Sequence, residues 1–285
     1  MTAGRAAGYR CWLQLPMIRR RPALFLILGL AAVGMAASEE VSKPAAPEEH
    51  EALAEPFALV ELFTSEGCSS FPPADQFLGD LVRLTQKSHQ RIFPLAFHVD
   101  YWNRLGWADP FSDPSYTRRQ HLYARALNTD EIYTPQMIVN GAEAFVGSDR
   151  RKAHEQIGLA LRETAHAAVR LKSVGWKGTG RLLVEYEVQG APLGAKLQVA
   201  LVERGLASYV PRGENAGLTL AHENVVRAFE TVSLSQAGSG QVELHPPSSV
   251  KVEDASLIGY VQNPVSMAVL GAVAVDLFGQ GEAAS

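Results

Sequence analysis

The run from Ala58 to Asp75 constrains the fold of this chain more than any other stretch. Ala58 to Phe63 is apolar except for Glu61, which suits a buried strand better than a half-exposed one. Thr64-Ser65-Glu66-Gly67 interrupts it, and glycine lets a chain turn sharply. Pro72 and Pro73 fit a first helical turn, where no backbone N–H is needed. Phe77, Leu78, Leu81, Val82 and Leu84 then recur at helical spacing. A strand that turns directly into a helix places Cys68 just before a helix N-terminus. Unpaired N–H groups and the helix dipole there favour a thiolate over a thiol.

The helix should end near Ser88, and Ile92 to Asp100 reads as a second buried strand. Tyr101 to Pro114 is an aromatic loop broken by prolines, and Ser115 to Leu127 is expected to be helical, with Tyr116, Leu122, Tyr123 and Ala126 on one face. Thr134-Pro135 leads into a strand, Asn140-Gly141 signals a hairpin, and Ala144 to Gly147 returns. Ser148-Asp149 caps a helix expected to reach about Ala168. The order is β-α-β-α-β-β-α. Helices between successive strands imply parallel pairing, with an antiparallel edge added by the hairpin. From Val169 onward the apolar period changes to two, in Leu182-Val184-Tyr186-Val188, Leu197-Val199-Leu201, Val225 to Thr231, Leu257 to Val261 and Met267 to Leu277. That spacing predicts a second, all-β domain of sandwich type.

The N-terminus carries a different signal. Arg19, Arg20 and Arg21 precede an apolar run from Ala23 to Ala36 that ends in small residues. At about 14 residues the run falls short of the ~20 that span a bilayer. The expected organisation is a signal peptide over 1–37, an acidic, Ala- and Pro-rich lead-in over 38–56, an α/β domain over 57–168, a β-sandwich-like domain over 169–278 and a tail over 279–285. Met17 is an alternative start. The formal charge is −4, and the first 36 residues hold five arginines and no acid, so the exported portion is more acidic still. That argues against nucleic acid or an anionic membrane as partner after signal cleavage. Of the two cysteines, Cys11 lies in the part to be removed, leaving Cys68 alone and without an internal disulfide.

Six runs in the first half carry a family resemblance: Glu61-Leu62-Phe63-Thr64-Ser65 with Gly67-Cys68-Ser69-Ser70; Pro72-Pro73-Ala74-Asp75; His98-Val99-Asp100-Tyr101-Trp102; Leu105-Gly106-Trp107 with Asp109-Pro110-Phe111; Tyr133-Thr134-Pro135-Gln136; and Val139-Asn140-Gly141. Arg212-Gly213-Glu214-Asn215, His222 and Asn224-Val225-Val226-Arg227 extend it into the second half. The element order resembles the thioredoxin fold. The motifs are similar to those of a secreted, thioredoxin-like bacterial family catalogued as domain of unknown function number 1223. The resemblance implies an α/β thioredoxin-like domain followed by an all-β sandwich-like domain. It also implies thiol chemistry at Cys68, aided by Glu61, Ser69, Ser70 and Pro135. Glu61 would relay a proton through water, and Thr134-Pro135 would form a cis-proline turn whose backbone edge receives a protein or peptide partner beside Cys68.

One departure limits that chemistry. Where the family pattern has Cys-Ser-Ser-Cys, this chain has Cys68-Ser69-Ser70-Phe71. Dithiol cycling needs a second thiol to resolve the mixed disulfide, and Phe71 supplies none. Two functions remain: monothiol exchange at Cys68, or a non-catalytic binding module. Thr134, His98, Asp100, Tyr101, Trp102 and Trp107 are the candidate binding residues beside Cys68, the aromatics as the floor of a groove. Cys68, His98 and Asp100 share a sheet edge, but their spacing fixes no geometry and no fourth ligand is evident, so neither a metal set nor a cofactor is assigned. Arg212, Glu214, Asn215, His222, Asn224 and Arg227 form either a network pinning a long loop or a contact surface toward the first domain or a ligand.

Overall fold

The computed structural model describes residues 55–129, 131–177, 180–235 and 238–277. The expected signal segment, nearly all of the acidic lead-in and the tail lie outside them. In chain order the elements are β1 (Ala58–Thr64), α1 (Pro72–Ser88), β2 (Ile92–His98), α2 (Pro114–Ala126), β3 (Gln136–Val139), β4 (Glu143–Val146), α3 (Arg150–Ala160), β5 (Ala168–Trp176), β6 (Leu182–Gln189), β7 (Lys196–Glu203), β8 (Leu206–Tyr209), β9 (Thr219–His222), β10 (Val225–Ser233), β11 (Ser239–Leu244), β12 (Ala255–Gln262) and β13 (Val269–Asp276). No described helix is long and apolar enough to cross a membrane.

β1 and β2 pair in parallel, as their all-buried sequences suggest, from Ala58↔Ile92 to Thr64↔His98. The other edge of β1 takes β3 antiparallel. The helical crossover from β2 to β3 therefore does not join parallel strands as the alternating order implied. β3 and β4 form the Asn140-Gly141 hairpin, whose two corner residues have φ of 46° and 71°. A Cβ at Gly141 would lie 1.9 Å from the Met267 carbonyl oxygen, so this corner requires glycine twice over. α3 stops well short of Ala168, because the chain leaves the helix to donate the His166 and Ala167 N–H groups to the Leu270 carbonyl.

The expected fold class is wrong. The chain does not form an α/β thioredoxin-like domain followed by a separate sandwich. It forms a mostly β body around one mixed sheet of eight strands, in the order β13-β12-β7-β10-β2-β1-β3-β4, with three α-helices among the described residues. The free edge of β2 is the reason. Val225 of β10 pairs with Ala96 in parallel, and the Ala96 N–H donates to the Asn224 carbonyl at 2.9 Å. The apolar second-half strands thereby extend the first-half sheet instead of closing on themselves.

Alternation along the strands sets the layers. Leu59, Phe63, Phe97, Ala200, Val202, Ile258 and Tyr260 share one face with Tyr116 and Tyr123 of α2, in a core that spans both halves of the chain. On the opposite face, Val60, Leu62 and Ala96 pack on α1 and α3. Farther along that face, Leu197, Val199, Leu201 and Leu257 pack on the small sheet β11-β6-β5. The sandwich pattern of Leu182 to Val188 thus describes only this local sheet-on-sheet packing. In α2 the core-facing residues are Tyr116, Arg119, Gln120 and Tyr123, whereas Leu122 is exposed.

Candidate functional site

The β1–α1 turn is wound tightly enough to hold Cys68 inside the protein. The Cys68 N–H donates to the Ser65 carbonyl (3.1 Å), the Phe71 N–H to the Cys68 carbonyl (3.3 Å), and the N–H groups of Ala74 and Asp75 to Phe71. Gly67 serves here through space rather than through an unusual φ: a Cβ would lie 2.9 Å from the Trp102 Cβ. Cys68 is a free thiol, 3% exposed, whose Sγ lies 3.6 Å from the Thr134 carbonyl oxygen. The Thr134–Pro135 peptide bond is cis. The Pro135 carbonyl accepts the Gly147 N–H at 2.9 Å. Phe71, 1% exposed, stacks on the His222 ring with centroids 5.8 Å apart.

The second half of the chain ties this turn down. Asn215 Nδ2 donates to the carbonyls of Glu66 (2.7 Å) and Cys68 (3.0 Å), and the Ser69 N–H donates to the Glu214 carboxylate (2.8 Å). The Ser69 contacts hold Glu214 below the usual glutamate pKa. Of the two readings kept for the second-half polar residues, contact with the first half holds for Glu214, Asn215, His222 and Asn224, the last donating to the Pro94 carbonyl at 2.8 Å. Arg227 pairs with Glu203 on its neighbouring strand and also lies over the first-half Phe111 ring at 5.3 Å, and Arg212 is exposed.

Behind the turn lies a buried cluster of three carboxylates and two imidazoles. His222 Nδ1 is 2.8 Å from Asp75 and Nε2 is 3.1 Å from Glu66. Thr64 donates to Asp75 (3.1 Å), and the Trp107 indole N–H to Glu66 (2.7 Å). Burial alone would lower the His222 pKa, but the hydrogen bonds and charges of Asp75 and Glu66 outweigh it and raise it to about 9. His98 Nδ1 is 2.8 Å from Asp109, which also accepts the N–H groups of Glu66 (2.8 Å) and Phe111 (2.9 Å). Burial pushes the Asp109 pKa up; its interactions with His98 and those two N–H groups overcome this and hold it low. The rings of His98 and His222 meet edge to face at 5.0 Å.

The expected site residues divide into two groups. Cys68, Thr134, Pro135, Trp102, Trp107 and His98 converge on the turn or on the cluster behind it, Trp102 by donating to the Thr134 hydroxyl at 2.8 Å. Ser69 and Ser70 lie exposed on its rim. Glu61 and Asp100 point elsewhere. The Glu61 carboxylate is fully buried and accepts from Arg119 Nε (2.8 Å), from the Tyr260 hydroxyl (3.2 Å) and, in a short bond, from the Tyr123 hydroxyl. Burial would lower the Arg119 pKa, but Glu61, Tyr260 and Tyr123 together raise it. Asp100 binds the Thr117 hydroxyl of α2. Tyr101 packs beside Trp102, and burial pushes its pKa up to about 12. Sequence reasoning gave no separate role to Glu66, Asp75, Asp109 or Arg119. The available signal was a charge on an apolar stripe: Asp75 precedes Leu78 and Val82 on α1, and Arg119 lies between Tyr116 and Tyr123 on α2.

No match was found among curated proteins. A crystal structure of an Agrobacterium tumefaciens protein is 30% identical, covers 76% of this chain and 93% of its own, and superposes with a TM-score of 0.57. A domain of the outer membrane lipoprotein Omp28 from Porphyromonas gingivalis (18% identity, 39% of this chain and 88% of its own, TM-score 0.22) overlaps too little to bear on fold or activity. So does the Streptomyces venezuelae β-glucosidase DesR (14% identity, 39% and 15%, TM-score 0.21). Residues 59–262, which include β1 at one end and β12 at the other, match the family described as Protein of unknown function (DUF1223), and the chain belongs to that family.

Proposed function

We propose that the protein is an exported, non-redox binding module, in which the Cys68 turn is a structural corner and not a site of disulfide exchange. The observation that carries this is the pair of positions that dithiol exchange would use, the first of which monothiol exchange would also need. At one, Cys68 is 3% exposed and its thiol faces a carbonyl; at the other, Phe71 is packed on His222. Exchange needs a sulfur that an incoming disulfide can reach, and Cys68 at 3% exposure does not offer one. Space for a ligand exists elsewhere. A cleft of about 840 Å³ beside α2 is lined by Arg118, Arg125, Lys196 and Glu230 together with Phe229 and Met267, a size and lining suited to a small polar molecule with an apolar body.

The test is iodoacetamide labelling of Cys68 in native and urea-unfolded protein, together with insulin reduction under a dithiol-regenerating system. Native labelling should be slower than unfolded labelling by at least an order of magnitude, and insulin turnover should be absent. Native labelling as fast as that of the unfolded chain, or catalytic turnover, would return the site to monothiol exchange. Export is tested separately by N-terminal sequencing of the envelope form, which should begin near Ala37 or Ser38.

A further inference from the structure

The cluster behind the Cys68 turn has two features of a coordination site that hydrogen bonding alone leaves unused. The first is an unpartnered lone pair. The Asp109 carboxylate can only accept, so the proton between it and His98 sits on Nδ1. On the neutral ring His98 Nε2 is then a bare acceptor, fully buried, with no hydrogen-bond partner among the described residues. The second is composition. Glu66, Asp75 and Asp109 place three carboxylates around two imidazoles in an interior where a surplus negative charge is unfavourable. His98 belongs to a group of possible ligands: one ligand atom each from Asp75, His98 and His222 lies within 4.8 Å of the other two.

We infer that Asp75, His98 and His222 bind a divalent first-row transition metal, of which Zn²⁺ is the reference case. Two imidazoles and a carboxylate suit such a metal, whereas calcium and magnesium prefer oxygen ligands. Tetrahedral ligands at about 2.1 Å from a metal lie about 3.4 Å apart, so closing the set requires shifts on the order of 1 Å. The supporting contacts are in place. Asp109 holds His98 through Nδ1 and leaves Nε2 as its available ligand atom, as carboxylates behind a metal-binding histidine do. Thr64 holds one oxygen of Asp75, leaving Oδ2 on the His222 side. On binding, the metal takes the place of a proton on His222: one cation enters, one proton leaves to solvent, and the Asp75–His222 hydrogen bond is replaced by two bonds to the metal. Phe71 and Phe111 pack against His222, and a metal held by these three ligands would fasten α1, β2 and β9 together, with its fourth position left to water.

This inference does not depend on how Cys68 behaves, and its test reads metal rather than thiol. The tag-free protein is unfolded with a chelator present and refolded in chelator-free buffer with Co²⁺ or Zn²⁺. Wild type should retain about one equivalent through gel filtration and melt at a higher temperature than protein refolded with chelator. The Co²⁺ form should show visible d–d bands without a strong near-ultraviolet sulfur charge-transfer band. Asp109→Asn, which touches no metal directly, should weaken binding 10- to 100-fold. His98→Ala should abolish it; because that variant removes a buried ring, the decision rests on wild type and Asp109→Asn. Wild type that regains its native circular dichroism with only a trace of metal overturns the inference. A strong sulfur band overturns the ligand set by moving the metal to Cys68, and unchanged affinity in Asp109→Asn overturns the role of His98.

Discussion

Glu61 and Glu66 lie five residues apart on one segment, both fully buried, and they belong to two different kinds of polar interior. Glu61 sits on the α2 face of the sheet, where charge is balanced. One guanidinium faces one carboxylate, two tyrosine hydroxyls complete the carboxylate, and Gln262 joins Arg119 and Tyr123. The rings of Phe97 and Phe229 flank the guanidinium at 5.5 and 5.1 Å. Glu66 belongs to the cluster behind the turn, where carboxylates outnumber imidazoles and one ring nitrogen has no partner. The first arrangement is complete within itself. The second is complete only with a further cation. Burial of charge therefore does not by itself mark function.

The largest effect should come from breaking the balanced site. Arg119→Met strands Glu61 without a cation, and removing one partner of a buried pair typically costs ~3–5 kcal/mol. Urea unfolding should show that loss, and the double variant Glu61→Leu/Arg119→Met should recover most of it, because replacing both partners by apolar groups is often neutral. A double variant as unstable as the single would mean the pair does more than neutralise itself.

The next effect concerns the other cluster. Phe71→Cys removes a buried ring from His222 and should cost up to ~3 kcal/mol in the reduced protein, somewhat less than a Phe→Ala truncation because sulfur fills part of the space. It also places a second thiol at the position whose N–H bonds to the Cys68 carbonyl. An intramolecular disulfide should form on oxidation, detectable by mass and by a redox-dependent melting temperature; its failure to form would show that the turn is too rigid to close. Asn215→Ala should cost about 1–3 kcal/mol, since it leaves the Glu66 carbonyl without its donor and the Cys68 carbonyl with only the Phe71 N–H. It should also speed native Cys68 labelling, and unchanged labelling would show that the second-half strap does not guard the thiol. The smallest effect is expected at the rim. Glu214→Ala should leave the unfolding midpoint unchanged while modestly raising the Cys68 labelling rate, because Ser69 loses its carboxylate partner.

The sequence was informative wherever one residue type enforces a local geometry. Pro72 opened α1, Asn140-Gly141 formed the hairpin with positive φ, and β6 alternated as Leu182 to Val188 required. It misled where a polar residue faced the core. Leu122 was assigned to the inner face of α2, yet the stripe Tyr116-Arg119-Gln120-Tyr123 faces inward because Arg119 finds Glu61 and Gln120 finds Gln136. The family resemblance implies a Glu61 that serves Cys68, but the strand's alternation directs its side chain to the face occupied by α2.

By itself, then, the sequence determined the start of α1, the hairpin, the apolar strands and the loss of a resolving thiol at position 71. Each of these follows from a side chain acting on its own backbone or near neighbours. Tertiary structure alone decided that β10 would extend the sheet from β2, and that His222 would meet Asp75 and Glu66 across 147 and 156 residues of chain. No periodicity or turn preference reaches that far. Such contacts are selected only when whole apolar faces come together, and the polar groups carried with them must then find partners in one another.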